Sequence, residues 1–215
     1  MAGDILNFAL LAFSSIIIIV NPFTATLTFV SLTEHLEIGD RKKVARDSTR
    51  YSVIILLIFA LLGAIILQLF GISLEAFRIA GGILLFGIGM EMIYARTSRT
   101  KLTATEKYES MEAEDVAIIP LAFPMITGPG AITTTLVLMN ETGGSPADIA
   151  IVILAIITSL IITYLMMVNS DKIVARIGQR EYRAINRLMG MLLIAIAVQF
   201  VITGVKLAFP VLGGG

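Results

Sequence analysis

Two proline-centred stretches decide how this chain is interpreted: Asn21-Pro22-Phe23-Thr24-Ala25-Thr26 and Thr127-Gly128-Pro129-Gly130-Ala131. Each lies inside an apolar run where an unbroken helix would be expected. Proline has no backbone N–H and crowds the preceding helical turn, and the residue before it is pushed away from helical angles. Proline is nevertheless favourable at the first position of a new helix. Each stretch therefore predicts the end of one half-helix and the start of another.

The apolar runs around the breaks are long enough to cross a membrane. Only 15% of the 215 residues are charged, whereas soluble domains carry about 25%. Spanning a bilayer takes ~20 apolar residues, and such runs are predicted at about 5–33, 51–69, 74–95, 116–139, 148–168 and 187–208. A soluble helical protein with an unusually buried core is the alternative, which six successive runs disfavour. We therefore predict an all-α membrane protein with six transmembrane segments, of which segments 1 and 4 are discontinuous.

Basic residues separate the two sides of the predicted bundle. Three connections carry nearly all of them: Arg41, Lys42, Lys43, Arg46 and Arg50; Arg96, Arg99, Lys101 and Lys107; and Lys172, Arg176, Arg180, Arg183 and Arg187. The opposite side has only Arg78 and Lys206, at helix ends. Because short cytoplasmic loops are enriched in lysine and arginine, we predict a multi-pass protein of the cytoplasmic (inner) membrane with both termini outside.

Two similarities at nearly the same spacing indicate an internal repeat. Arg78-Ile-Ala-Gly-Gly-Ile-Leu-Leu is similar to Arg187-Leu-Met-Gly-Met-Leu-Leu-Ile, 109 positions later, and the proline breaks are 107 positions apart. Since each half holds three segments, an odd number, the second half enters the membrane from the opposite side. This predicts a 3+3 inverted repeat, with a first repeat at 1–95, a cytoplasmic linker at 96–115, an inverted second repeat at 116–210 and a tail at 211–215.

The breaks are the predicted substrate site. A helix start exposes N–H groups and a partial positive charge, and a helix end exposes carbonyls and a partial negative charge. Inside a membrane these groups must pair with protein or line a polar cavity, and an amino acid zwitterion would suit both. The alternative is that proline and glycine only kink packed helices. The predicted substrate-binding residues are Asn21, Pro22, Phe23, Thr24, Ala25, Thr26, Thr127, Gly128, Pro129, Gly130, Ala131 and Thr133.

Few charged residues lie in or beside the apolar runs. Glu91 is the only acid well inside one, and it is a candidate for coupling to an ion such as the proton. Pairing with Arg96, about one turn away, is the favoured alternative. Glu75 and Arg78 are three positions apart, and we predict that they pair at the outer surface.

The composition excludes several classes of protein. The chain has no cysteine, which excludes disulfides and thiolate chemistry, and its single His35 cannot form a histidine metal cluster. Its 16 basic and 16 acidic residues balance, so the charge gives no case for a nucleic-acid partner. The sequence contains no nucleophile–base arrangement and no phosphate-binding Gly-Lys loop. We therefore predict no enzymatic activity, no cofactor and no metal.

Several of these stretches resemble the MarC family of six-span membrane proteins, which includes SnatA-type small neutral amino acid transporters. The similar strings are Asn21-Pro22-Phe23, Phe70-Gly71-Ile72-Ser73, Phe-Arg-Ile-Ala-Gly-Gly-Ile-Leu-Leu-Phe at 77–86, Ile119-Pro120-Leu121-Ala122 and Gly128-Pro129-Gly130-Ala131-Ile132-Thr133. The resemblance implies transport of glycine or alanine, with a proton as the candidate coupling ion.

These observations predict a secondary transporter of small neutral amino acids that works by alternating access in the lipid bilayer. Two alternatives stay open at this point: a channel or exporter for another small solute, and a membrane protein that transports nothing. The sequence leaves the oligomeric state undetermined.

Overall fold

The computed structural model describes residues 2–94, 116–176 and 179–209, and these fold into helices with no strand among them. In chain order the helices are α1 (Ala2–Val20), α2 (Pro22–Thr33), α3 (Ile38–Leu69), α4 (Leu74–Ile93), α5 (Ala117–Ile126), α6 (Pro129–Glu141), α7 (Pro146–Val168), α8 (Ser170–Arg176) and α9 (Gln179–Ala208). The predicted linker at 96–115 and tail at 211–215 lie outside the described residues.

Five helical runs are long and apolar enough to cross a membrane: Ile5–Thr33, Ile38–Leu69, Leu74–Ile93, Pro146–Val168 and Arg187–Ala208. The first of them joins α1 and α2. Helices α5 and α6, bent by 55° at their junction, make a sixth span when they are counted together. The protein is therefore a multi-pass membrane protein whose described residues are helical and provide five or six candidate spans.

The junction between α1 and α2 is a single residue, Asn21. Its φ of 47° and ψ of 73° lie in the left-handed region, which asparagine tolerates better than most side chains. The Asn21 side-chain oxygen accepts a hydrogen bond from the backbone N–H of Thr24 at 3.2 Å and so caps the new helix. Because Pro22 has no N–H, the carbonyl of Ile18 lacks the usual i+4 donor.

The junction between α5 and α6 is built differently. Helix α5 is a π-type segment in which Ile119 and Phe123 are extended, with φ of −127° and −131°. Each of them precedes a proline, which disfavours helical angles at the preceding residue. The backbone N–H and the hydroxyl of Thr127 both donate to the carbonyl of Ala122, at 2.9 and 2.8 Å. The half-helix before the second break is therefore irregular, whereas the half-helix before the first break is regular.

Helix α6 lies at the centre of the described structure. It packs against α1, α3 and α4, and all eight residues at 131–138 are buried. Helix α7 packs against α1, α2 and α3, and α4 packs along α9. The α4–α9 contact is antiparallel, since Gly82 faces Ala197 whereas Gly89 faces Gly190. Glycines at these positions let the two helix backbones approach closely.

Candidate functional site

The helices that follow the two breaks share one local geometry. The hydroxyl of Thr26 donates to the carbonyl of Pro22 at 2.7 Å, and the hydroxyl of Thr133 donates to the carbonyl of Pro129 at 2.8 Å. Both threonines are buried. At each break a proline therefore starts the helix, and a threonine four residues later bonds back to that proline, which satisfies its own hydroxyl.

Helix α4 passes both breaks. A Cβ placed on Gly130 would contact the side chain of Leu85 and would lie 3.9 Å from Cγ2 of Ile19, near the end of α1. The side-chain nitrogen of Asn21 lies 3.8 Å from the sulfur of Met92. Leu85 and Met92 are seven residues apart, which corresponds to about 10 Å along a helix. The two breaks therefore face α4 about two turns apart, with Ile19 beside Gly130.

The predicted site residues differ in burial. Asn21, Pro22, Ala25, Thr26, Thr127, Gly130, Ala131 and Thr133 are buried, Phe23, Thr24 and Gly128 are half-buried, and Pro129 is exposed. Pro129 is the first residue of α6, and its ring is exposed in the structure, whereas most of the other predicted residues are buried or half-buried.

Three buried hydroxyls have no hydrogen-bond partner in the described structure, those of Thr134 and Thr135 in α6 and Ser159 in α7. Leaving a buried polar group unpaired costs roughly 1–3 kcal/mol, so these hydroxyls are candidate contacts for a polar ligand. None of them is among the predicted site residues. Three consecutive threonines at 133–135 in an apolar segment were the signal for two of them, whereas nothing in the sequence marked Ser159.

The charged residues near the spans are arranged differently from the prediction. Arg78 pairs with Glu141, whose carboxylate oxygen lies 3.2 Å from the guanidinium, so the predicted pair of Arg78 with Glu75 was wrong. Sequence separation favoured the local partner, but Arg78 is only 4% exposed and faces α6. Glu91 is exposed on the last turn of α4, and its predicted partner Arg96 lies outside the described residues.

Among the described residues, acidic and histidine side chains do not cluster. Across residues 2–94, 116–176 and 179–209, no group of three or more could hold a metal ion. The chemistry that the site offers therefore consists of helix ends, hydroxyls, small side chains and the amide of Asn21.

Comparison with known proteins gives consistent matches along the chain. The model of a family described as MarC family integral membrane protein matches residues 6–209. The UPF0056 membrane protein MJ1677 of Methanocaldococcus jannaschii is 43% identical over 201 residues, which cover 94% of this chain and 97% of the relative. YvbG of Bacillus subtilis is 35% identical over 207 residues, covering 96% and 98%. YhcE of Escherichia coli is 35% identical over 198 residues, covering 92% of each. No solved structure matches.

Proposed function

The chain belongs to the MarC family of integral membrane proteins, and from this premise we propose that it is a secondary transporter of small neutral amino acids of the glycine and alanine type. It moves its substrate across the cytoplasmic membrane by alternating access, with the proton as coupling ion. Both termini face outside, because the three basic connections then lie in the cytoplasm.

A 3+3 inverted repeat with discontinuous segments 1 and 4 is part of the proposal. Its strongest support is the pair of matched hydrogen bonds, Thr26 to Pro22 and Thr133 to Pro129, which recur 107 positions apart. The packing agrees, since α2 lies on α7 as α6 lies on α3. The antiparallel contact of α4 with α9 is also what an inverted repeat requires, because equivalent helices then run in opposite directions.

The chemistry of the breaks supports a small zwitterionic substrate. The end of α1 offers the carbonyl of Ile18, which lacks its i+4 donor because Pro22 has no N–H, to an ammonium group, and the start of α6 offers N–H groups to a carboxylate. The threonine hydroxyls at 134 and 135 lie on the same half-helix as the second break. Small and hydroxylic side chains leave room for glycine or alanine and little room for a bulky solute.

The experiment is uptake of labelled glycine by the purified protein in proteoliposomes, with and without an inward proton gradient. We expect saturable uptake that the gradient increases and that unlabelled alanine inhibits. Absence of saturable uptake for every small amino acid would overturn the proposal. A flux that ignores the gradient and does not saturate would instead indicate a channel.

A variant pair separates binding from folding. Because the hydroxyls of Thr134 and Thr135 have no partner in the described structure, replacing both by valine removes no hydrogen bond of the protein itself. We therefore expect the double variant to fold with equal or higher stability and to take up glycine at least tenfold more slowly. Thr203→Val, in α9, is the control for the same change of side chain; its hydroxyl accepts a hydrogen bond from Gln199 at 3.1 Å, and its loss should leave uptake unchanged.

A further inference from the structure

Arg78 and Glu141 form an unusual ion pair. Both charges stand against their helix dipoles, since Arg78 lies near the start of α4 and Glu141 is the last residue of α6. Each placement is unfavourable alone and is compensated by the pairing of the two side chains. Arg78 is the most buried cation among the ion pairs of the described residues, and its Nε has no partner. The pair therefore depends on α4 and α6 being in contact.

The internal repeat provides a second pair of the same kind. Glu34 is 107 positions before Glu141, the spacing of the proline breaks, and it directly follows α2 as Glu141 ends α6. Arg187 is 109 positions after Arg78, the spacing of the similarity between α4 and α9. One glutamate and one arginine thus occur at corresponding positions in each half. Glu34 and Arg187 are exposed, and no ion pair joins them in the described part of the chain.

The packing of α4 and α9 explains why one pair is formed and the other is not. Helix α4 packs against α6, and α9 packs against α1, but comparable packing of α9 on α2 or of α4 on α5 is missing among the described residues. In the proposed orientation α1 and α6 are the outer half-helices, and α2 and α5 are the cytoplasmic ones. The α4–α9 pair therefore packs on the two outer half-helices, and the described residues show no comparable packing on the two cytoplasmic ones.

Gly81 of α4 and Gly190 of α9, which are equivalent in the proposed repeat, also differ in the helices that they contact. A Cβ on Gly81 would overlap the side chain of Thr133, so α4 and α6 touch there. The equivalent contact would join Gly190 of α9 to Thr26 of α2. The groups nearest to Gly190 are instead Met92, Gly89 and Ile93, all in α4. Among the described residues, the glycine–threonine contact between α4 and α6 thus has no counterpart between α9 and α2.

We infer that Arg78–Glu141 and Glu34–Arg187 are two alternating latches. The first holds the outer side closed in the conformation described here, and the second forms when the α4–α9 pair moves onto α2 and closes the cytoplasmic side. The inference rests on the proposed inverted repeat and alternating access. It adds that each side is closed by one ion pair, and that the two pairs exclude one another.

The absence of native cysteines provides the test. Val137 in α6 and Val30 in α2 occupy equivalent positions, 107 apart, and Val137 is 2% exposed. Single Val137→Cys and Val30→Cys variants in proteoliposomes of known orientation report the outer and the cytoplasmic side through labelling by an impermeant maleimide. When none of the four latch residues is substituted, we expect Val30→Cys to be labelled faster from the cytoplasmic face than Val137→Cys from the outer face.

Latch variants should then shift the two rates in opposite directions. Arg78→Gln or Glu141→Gln should raise outer labelling of Val137→Cys by about tenfold, which corresponds to ~1.4 kcal/mol. Glu34→Gln or Arg187→Gln should lower that labelling and raise the cytoplasmic labelling of Val30→Cys. The exchange Glu34→Arg with Arg187→Glu should restore the original rates. Glu75→Gln and Lys206→Gln are the charge-removing controls and should change neither rate.

The outcomes test the two latches separately from the proposed substrate. If Glu34→Gln and Arg187→Gln change neither rate while Arg78→Gln does, the second latch does not exist, whether or not glycine is transported. If both pairs of variants shift the rates reciprocally in protein that transports no amino acid, the latches stand and the proposed substrate is wrong. Unchanged rates in all four single variants would overturn both latches.

Discussion

Helices α2 and α6 begin alike and end in different surroundings. Each starts with a proline and bonds a threonine hydroxyl back to that proline; α6 ends at Glu141, and Glu34 directly follows α2. Yet every residue at 131–138 of α6 is buried, whereas only Ala25, Thr26 and Phe29 are buried in the equivalent stretch 24–31 of α2. The difference teaches that local sequence builds the two half-helices in the same way, and that the packing of α4 against one of them makes their environments unequal.

The strongest test of this comparison targets the contact that α6 has and α2 lacks. Gly81→Ala places a methyl group onto the side chain of Thr133, whereas Gly87→Ala, on the same helix, meets nothing within 4 Å. Both changes gain similar helix propensity. We therefore expect Gly81→Ala to have a free energy of unfolding lower than that of Gly87→Ala by roughly 3 kcal/mol, since overpacking costs about 1–3 kcal/mol and the propensity gain is common to both.

Denaturant titration in mixed micelles, followed by far-UV circular dichroism, measures that difference. Equal stabilities of the Gly81→Ala and Gly87→Ala variants would mean that α4 and α6 do not touch as the structure has them. Contact with α4 would then not explain why α6 is more buried than α2.

The next largest effect concerns the two breaks. Asn21→Ala removes the side-chain cap of α2 and places alanine in a left-handed conformation, so we expect a loss of about 2 kcal/mol. Asn21→Gly should recover the conformational part, because glycine adopts a positive φ without strain. At the second break the backbone of Gly128 is extended, with φ of −63°. The second break therefore does not depend on a residue in the left-handed conformation.

The same unfolding titration, with exposed Asn140→Ala as control, measures the effect at Asn21. A ranking in which Asn21→Gly is no more stable than Asn21→Ala would contradict the left-handed conformation at the first break.

A smaller effect tests the likeness of the two helix starts. Thr26→Val and Thr133→Val keep the shape of the side chain and remove the hydroxyl that bonds to the proline carbonyl. Each should lower the free energy of unfolding by about 1 kcal/mol, and the two losses should agree within ~0.5 kcal/mol. Clearly unequal losses would show that the matched geometry at the two breaks is energetically unequal, which would weaken the repeat.

The smallest expected effect lies next to α2, at the start of α3. Arg41 pairs with Asp171 of α8 at 2.9 Å and sits 5.8 Å above the ring of Phe29. Because Asp171 is 73% exposed, Asp171→Asn should cost at most ~1 kcal/mol, and this cost should shrink in high salt. Unfolding titrations at low and high salt measure it, and a large, salt-independent loss would indicate that α2 is held as firmly as α6.

Much of the fold follows from the chain without its tertiary structure. Apolar runs of membrane-spanning length predict the helices, and Pro22 and Pro129 predict where two of them are interrupted. The partner of Arg78 does not follow in this way. Its sequence neighbour Glu75 was the local choice, but the residue that binds it is 63 positions away in α6, and only the packing of α4 against α6 brings them together.

The candidate site also has one part that the sequence predicts and one part that it does not. The sequence marks the breaks through prolines and glycines, whose missing N–H or missing side chain acts on the backbone wherever the residue lies. It does not mark Ser159, because a lone serine in an apolar helix carries no signal until its surroundings exclude every partner.

The sequence by itself determined an all-helical membrane protein with broken half-helices, since bilayer thickness and proline geometry act on any chain with these residues. It also carries the repeated glutamates and arginines in both halves. Only the tertiary structure decided which of these charges pair. Arg78 and Glu141 are 63 positions apart and meet because α4 packs against α6, a contact between distant segments that no local pattern in the chain specifies.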